Sequence, residues 1–328
     1  ACFGVAISYF LVIERQRMHG LIKALAQIGE ALVVLSMAWW LDLESIIMLC
    51  IVWKLLVTAS VIIYMCLECG IASPRLPINR EFVSFGGWLM LSQVTFFGAT
   101  HASRYVLVNF VGVEQLAVFA AAYSVAKVIE LVIMPVRFAL LPTISAHWNR
   151  QEYDKTKPLI SLCYKLIFLL GLPMLGGLYM YGNVLISLLS SNQVNIEPWI
   201  ILLLGIAPLM NGLRTINSMA FWMKKNIHYS IGIQLMGMAI NLFFAIILVR
   251  TFGVIGAVIA AVCSMLLMAM ITHKYAIKVF KVKINWHHFA KSVFCAGLMT
   301  GGLMLWSFVD IGQILTMIIG VFLGLIIY

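Results

Sequence analysis

Long apolar runs follow one another along the whole chain and leave little between them. They fall at about 1–13, 20–41, 45–67, 82–111, 115–141, 158–182, 196–222, 230–249, 253–277, 290–309 and 312–328. At 1.5 Å per residue, about 20 apolar residues in a helix cross the ~30 Å hydrocarbon layer of a bilayer. Backbone in lipid must satisfy its own hydrogen bonds, so only helices and closed β-barrels can span. Barrel strands read as ~10-residue stretches of alternating character, whereas these runs are continuous. The sequence therefore predicts an all-α, polytopic transmembrane bundle of roughly eleven helices. Only 10% of residues are charged, against about 25% in soluble domains, which excludes a water-soluble chain. The first residue is Ala1 and the last, Tyr328, stands within an apolar run. That reads as a piece of a longer protein, and no signal peptide is assigned.

Charges between the runs alternate in kind. One set of loops holds Arg15, Arg17, Arg75, Arg80, Arg150, Lys155, Lys157, Lys224, Lys225, Lys274, Lys278, Lys281, Lys283 and Lys291, fourteen basic residues. The opposite set holds Asp42, Glu44, Glu114, Glu197 and Asp310, with Arg250 as its one basic residue. By the positive-inside rule the first set is cytoplasmic. The net charge of +10 then faces anionic lipid and calls for no nucleic-acid partner. The loops leave no room for a soluble catalytic domain, and no HExxH, GxSxG or P-loop pattern occurs. His287 and His288 are adjacent and point apart on a helix, a poor metal site. Cys66 and Cys69 form a lone CxxC, which reads as two inert thiols at a helix end rather than a redox or metal pair. The chain is read as a non-enzyme with no cofactor.

Charge deep inside a span is costly, faces protein or water, and often has a task. The basic residues so placed are Lys54, Arg104, Lys127, Arg137, Lys165 and Arg214, against the acids Glu30 and Glu130, which predicts an electropositive interior. Residues three, four and seven apart share a helix face. Tyr123, Lys127, Glu130 and Arg137 fall within about 80° at 100° per residue, and Lys127 lies about 18 Å from the outer helix end. Gln93, Thr100 and Arg104 share a second face; Asn211, Arg214, Thr215 and Ser218 share a third. These stripes read as walls of one wet cavity. Two alternatives stay open: Lys127 and Glu130 as a neutralised i, i+3 pair, and Arg137, Arg214 and Lys165 as cations that snorkel to the interface. Arg104 has no acid in its own run, so either Glu130 from the next helix pairs with it or it awaits a ligand anion. Lys54 and Glu30 are assigned no role. The guanidinium stays charged when desolvated and its planar fork matches phosphate oxygens, so the guest is read as an anion with several oxygens. Pro135, Pro173 and Pro208 fall inside spans, where bends can serve as gates. Gly297 with Gly301, and Gly320 with Gly324, form GxxxG pairs suited to close helix contact. The stretches FVGVEQLAVFAAAYSV (110–125) and TFGVIGAVIAAVCSM (251–265) look alike, a hint of repeated hairpins.

The segment FVSFGGWLMLSQVTFFGATHASRYVLVNFVGVEQLAVFAAAYSVAKVIELVIMPVRFALLPTIS (82–145) resembles helices seven and eight of bacterial polysaccharide flippases, the O-antigen exporters of the multidrug/oligosaccharidyl-lipid/polysaccharide (MOP) superfamily. The match runs through Gly112, Ala117, Ala122, Pro135, Ala139, Pro142 and Ser145. AINLFFAIILVRTFGVIGAVIAAVCS (239–264) resembles the family's eleventh helix and its turn, through Asn241, Gly253, Gly256 and Ala257. The resemblance implies a two-lobed transporter fold with the N-terminal lobe partly missing. Residues 1–67 would end that lobe (about helices four to six) and 68–81 would form a cytoplasmic linker. Residues 82–280 would be the C-terminal lobe (about helices seven to twelve), and 281–328 two extra C-terminal helices. It implies flipping of a polyprenyl-diphosphate-linked oligosaccharide across the bacterial cytoplasmic (inner) membrane by alternating access. Partners would be the lipid-linked oligosaccharide, membrane lipids, a coupling H+ or Na+ titrating first at Glu130, and glycan polymerases. Substrate-binding residues would be Arg104, Lys127, Glu130, Arg137, Arg214, Gln93, Tyr123 and Asn211. Two positions depart from the family pattern: Ser103 stands where an Asp often precedes Arg104, and Ala245 where a second Asn follows Asn241. Competing readings are a cation-coupled multidrug exporter, a peptidoglycan-precursor flippase and, in another class, a membrane glycan polymerase.

Overall fold

The computed structural model describes residues 16–37, 40, 42–69, 80–189, 196–306, 316, 319–320 and 324. The run at 1–13, most of the run at 312–328, linker residues 70–79, Cys2, Arg15, Arg75 and Asp310 lie outside the described residues. Among the described residues ten helices form: α1 (Gln16–Met37), α2 (Leu43–Cys69), α3 (Arg80–Phe110), α4 (Val113–Ala126), α5 (Val128–Asn149), α6 (Tyr153–Leu189), α7 (Pro198–Met223), α8 (Ile227–Phe252), α9 (Val254–Phe280) and α10 (Trp286–Trp306). The protein is an all-α polytopic transmembrane bundle. Seven stretches among the described residues are long and apolar enough to cross a membrane, α4 and α5 counting as one. The 31-residue α3 is not among them. Its length suffices, but Gln93, Thr100, His101 and Arg104 dilute its apolar surface.

The chain divides into two compact units, residues 1–79 and 80–328. In the first, α1 and α2 pack together where Gly29 admits the Trp53 ring, whose Nε1 donates to the Ala26 carbonyl at 3.1 Å. Lys54 and Glu30 form an ion pair of 2.7 Å across these helices, so that cation is matched locally.

In the second unit α7 and α9 form the centre. α7 packs on α4, α5, α6 and α9, while α9 also packs on α8, α3 and α4. Small residues explain the depth of α9: Gly256, Ala257, Ala260, Ala261 and Ser264 are buried, and small side chains let helix backbones approach in lipid. α10 packs on α6. Close contact is found at Gly320, which faces Tyr181, and at Gly324, which faces Met299. The other predicted contact pair differs: Gly297 and Gly301 meet nothing within 4 Å among the described residues, because their face of α10 turns away from α6.

The turns at the two membrane faces are built differently. The turns with few basic residues use glycine at positive φ, Gly112 at +107° before α4 and Gly253 at +55° before α9, where a Cβ would be strained. The lysine-rich turns place Gln151, Lys225 and Lys281 at φ of 60°, 56° and 55°, which is uncommon for residues other than glycine. Lys225 and Lys281 follow helix C-termini, where the helix dipole favours cations.

At the α5–α6 turn, Glu152 Oε2 lies 2.6 Å from His147 Nδ1 and 3.2 Å from Lys155 Nζ, and the Glu152 amide donates to the His147 carbonyl. The hydrogen bond from His147, then that from Lys155, holds the exposed Glu152 carboxyl below its ordinary value of 4.5. A depressed carboxyl pKa stabilises the folded form above the unfolded value, and the benefit is lost as pH falls through the folded one. Below about pH 4.5, amide exchange at Glu152 and Thr156 is therefore expected to accelerate relative to intrinsic rates. In Glu152→Gln that acid-dependent step should be absent.

Candidate functional site

A cavity of about 230 Å³ lies inside the second unit, walled by α3, α4, α5, α7 and α9. α3 contributes Gln93, Phe96, Phe97, Thr100 and His101, and α7 contributes Ala207, Pro208 and Asn211. Tyr123 ends α4, Lys127 stands at the α4–α5 junction, and Glu130 is in the first turn of α5. The helical register explains this convergence, since each stripe read from the sequence presents its polar positions on one face.

The 115–141 run is not one uniform helix. The chain tightens at Lys127, whose amide donates to the Tyr123 carbonyl while the Glu130 amide donates to the Lys127 carbonyl, both at 2.9 Å. The second is an i, i+3 bond of 3₁₀ type, a local tightening often found at hinges. It falls on the cation that lines the cavity.

The buried charges divide into a satisfied group and an unsatisfied one. Asn211 Nδ2 donates to Glu130 Oε1 at 3.0 Å, and Asn211 Oδ1 accepts from Arg214 Nε at 3.2 Å and Nη2 at 3.0 Å. The amide thus bridges carboxylate to guanidinium. Arg214, 9% exposed, also lies over the Phe96 ring at 4.2 Å, so it does not snorkel. Arg104 sits over the Tyr123 ring at 4.6 Å and the Phe119 ring at 5.8 Å, and Lys127 Nζ lies 5.7 Å from the same Tyr123 ring. Among the described residues neither Arg104 nor Lys127 has a carboxylate within 4 Å, and Arg104 Nε is buried without a hydrogen-bond partner. The i, i+3 pair of Lys127 with Glu130 does not form; Glu130 instead accepts from Asn211. Cation–π contact is worth about 0.5–2 kcal/mol, enough to hold two cations on one ring but not to neutralise them.

Of the eight residues predicted from sequence, Gln93, Tyr123, Lys127, Glu130 and Asn211 line the cavity. Arg104 and Arg214 stand directly behind its wall, on the rings of Tyr123 and Phe96. Arg137 does not line the cavity; it is seven residues along α5 from Glu130, over the Phe138 ring at 5.2 Å with its Nε unpartnered. Sequence reasoning missed His101, which lines the cavity and packs on Phe97 with ring centroids 4.3 Å apart. Its signal was present: His101 is three residues before Arg104 and so shares that helix face.

A family model described as polysaccharide biosynthesis protein matches residues 14–196, more than half of the chain. The chain belongs to that family. It is also similar to the probable low-salt glycan biosynthesis flippase Agl15 of Haloferax volcanii, at 16% identity over 263 residues, which cover 79% of this chain and 55% of that protein. The chain thus spans about half the length of that curated relative. Among solved structures, the lipid II flippase MurJ in an inward closed conformation superposes with a TM-score of 0.70 at 14% identity, covering 99% of this chain and 70% of that one. The family member therefore has the fold of a MOP-type transporter, as its resemblance to the superfamily implied.

Proposed function

We propose that the chain is part of a transporter that flips a polyprenyl-diphosphate-linked oligosaccharide, a surface-polysaccharide repeat unit, across the cytoplasmic membrane by alternating access. The observation that carries this reading is the pair Arg104 and Lys127. Both are cationic within the bundle, both lean on Tyr123, and neither is matched by an acid among the described residues. The acid of the cavity wall, Glu130, is engaged through Asn211. A guanidinium and an ammonium beside one cavity suit the several oxygens of a diphosphate.

The cavity volume of about 230 Å³ is below the ~300–1,000 Å³ that houses a drug-sized ligand. It admits a phosphate-sized group and excludes a glycan, so transport requires an opening motion. The tightened backbone at Lys127 and the prolines at 135 and 208 supply places where α5 and α7 can bend. Glu130 is the group at which a coupling proton or sodium ion would act, since a change in its charge alters the Asn211 bridge to Arg214.

Arg104→Ala and Lys127→Ala are each expected to lower flux of lipid-linked glycan at least about tenfold, the loss of one charge-assisted contact, with unchanged protein in the membrane. Arg104→Lys should keep part of the activity, having the charge without the fork. A leaflet-specific assay of lipid-linked glycan reads this. Wild-type flux in both alanine variants would refute the anion-binding role.

A further inference from the structure

A second cavity, of about 230 Å³, lies between the cytoplasmic halves of α6 and α10 and is separate from the site above. Lys165 lines it from within the apolar stretch of α6, exposed and with no carboxylate within 4 Å among the described residues. At 1.5 Å per residue α6 is about 55 Å long, well beyond the ~30 Å hydrocarbon core. Lys165 is twelve residues, about 18 Å, after the helix start at Tyr153, level with the first two turns of α10.

Those turns supply the rest of the lining. Asn285 caps α10 by accepting the His287 amide at 3.0 Å through Oδ1, which leaves its Nδ2 hydrogens available. His288 adds a ring nitrogen. Ser292 also lines the cavity, is only 8% exposed, and has no hydrogen-bond partner among the described residues. Its hydroxyl opens on a space that also holds a cation and an amide donor. No carboxylate lines the cavity. Its apolar wall is the edge-on pair Phe168 and Phe289, with centroids 4.9 Å apart. Trp286 beside it is exposed, as suits a residue at headgroup level.

We propose that this cleft binds the phosphate of an anionic phospholipid from the cytoplasmic leaflet. Lys165 supplies the charge, the side chains of Asn285, His288 and Ser292 supply hydrogen bonds, and the lipid fastens α10 to α6. Basic clefts between spanning helices on the cytoplasmic side are where anionic headgroups are held. The same phosphate chemistry is offered by inorganic phosphate in solution, and the depth of Lys165 within an apolar helix favours the lipid.

Native mass spectrometry of the detergent-solubilised full chain, titrated with dioleoylphosphatidylglycerol, tests this. The wild type is expected to hold one phosphatidylglycerol that Lys165→Ala binds about ten- to a hundredfold more weakly, the loss of a charge-assisted hydrogen bond. Lys165→Arg should retain it, which also controls for folding. Arg104→Ala should retain it as well, because that residue serves the other cavity, and so failure here is distinguishable from failure of the transport reading. Equal retention by Lys165→Ala and wild type would overturn the proposal, as would equal binding of zwitterionic phosphatidylcholine or loss of the lipid in Arg104→Ala. Displacement of the lipid by excess inorganic phosphate would also overturn it, by making the cleft a site for soluble anions.

Discussion

Asn211→Leu is expected to destabilise the bundle by about 3–5 kcal/mol, the cost of leaving a buried charge uncompensated. Leucine keeps the γ-branched skeleton of asparagine but its methyl groups are bulkier, so a smaller steric cost adds to the polar loss. The substitution removes the donor that reaches Glu130 Oε1 and the acceptor that holds Arg214 Nε and Nη2. Arg214 is 9% exposed and faces the Phe96 ring, so water is a poor substitute. Denaturant unfolding in detergent micelles, followed by tryptophan fluorescence, reads the change. Removing the charge as well, in Asn211→Leu with Arg214→Met, should recover much of the loss, since a buried polar group replaced together with its partner is nearly neutral. A loss below about 1 kcal/mol in the single variant, the size of an ordinary hydrogen bond, would mean that Glu130 and Arg214 find each other without the amide.

The same bridge marks where sequence reasoning stops. The apolar runs located the helices because hydropathy and length are properties of one segment at a time. Each described helix overlaps a predicted run, although the run at 115–141 divides into α4 and α5 and α6 continues seven residues past the run at 158–182. The polar stripes on α3, α5 and α7 were legible for the same reason, as register on a single helix. Partners across helices were not. Lys54 looked like an intramembrane cation and is paired with Glu30 of the neighbouring helix. Arg214 could be read either as a cavity residue or as a snorkelling one, and Asn211 holds it inward. Glu130 could have neutralised Lys127 or Arg104 and does neither; its partner is an asparagine 81 residues away. The tightening at Lys127 left no local mark, since the stretch from Ala120 to Met134 contains neither glycine nor proline. It falls where α4 and α5 both pack against α7.

Gly256→Leu is expected to prevent the second unit from folding, and even Gly256→Ala should cost about 1–3 kcal/mol or more, the range for overpacking a core. A Cβ at this position would lie 2.2 Å from the Leu248 carbonyl oxygen, 2.4 Å from its carbon and 2.7 Å from the Val249 nitrogen. All three are backbone atoms of α8, so no side-chain rotation relieves the overlap. The α8–α9 hairpin would have to part, and α9 cannot follow freely because it also packs on α7, α3 and α4. Those contacts position the cavity: α9 supplies Met265 to its wall, opposite Gln93 and His101 of α3. Gly232, on the exposed side of α8, is the control. Nothing lies within 4 Å of its Cβ position, so Gly232→Ala should be neutral or stabilising by about 0.5–1 kcal/mol through helix propensity. Detergent-resistant folded yield and thermal unfolding of the two alanine variants compare the sites directly. If Gly256→Ala matched Gly232→Ala, the close approach of α8 and α9 would not be what holds this wall of the cavity in place.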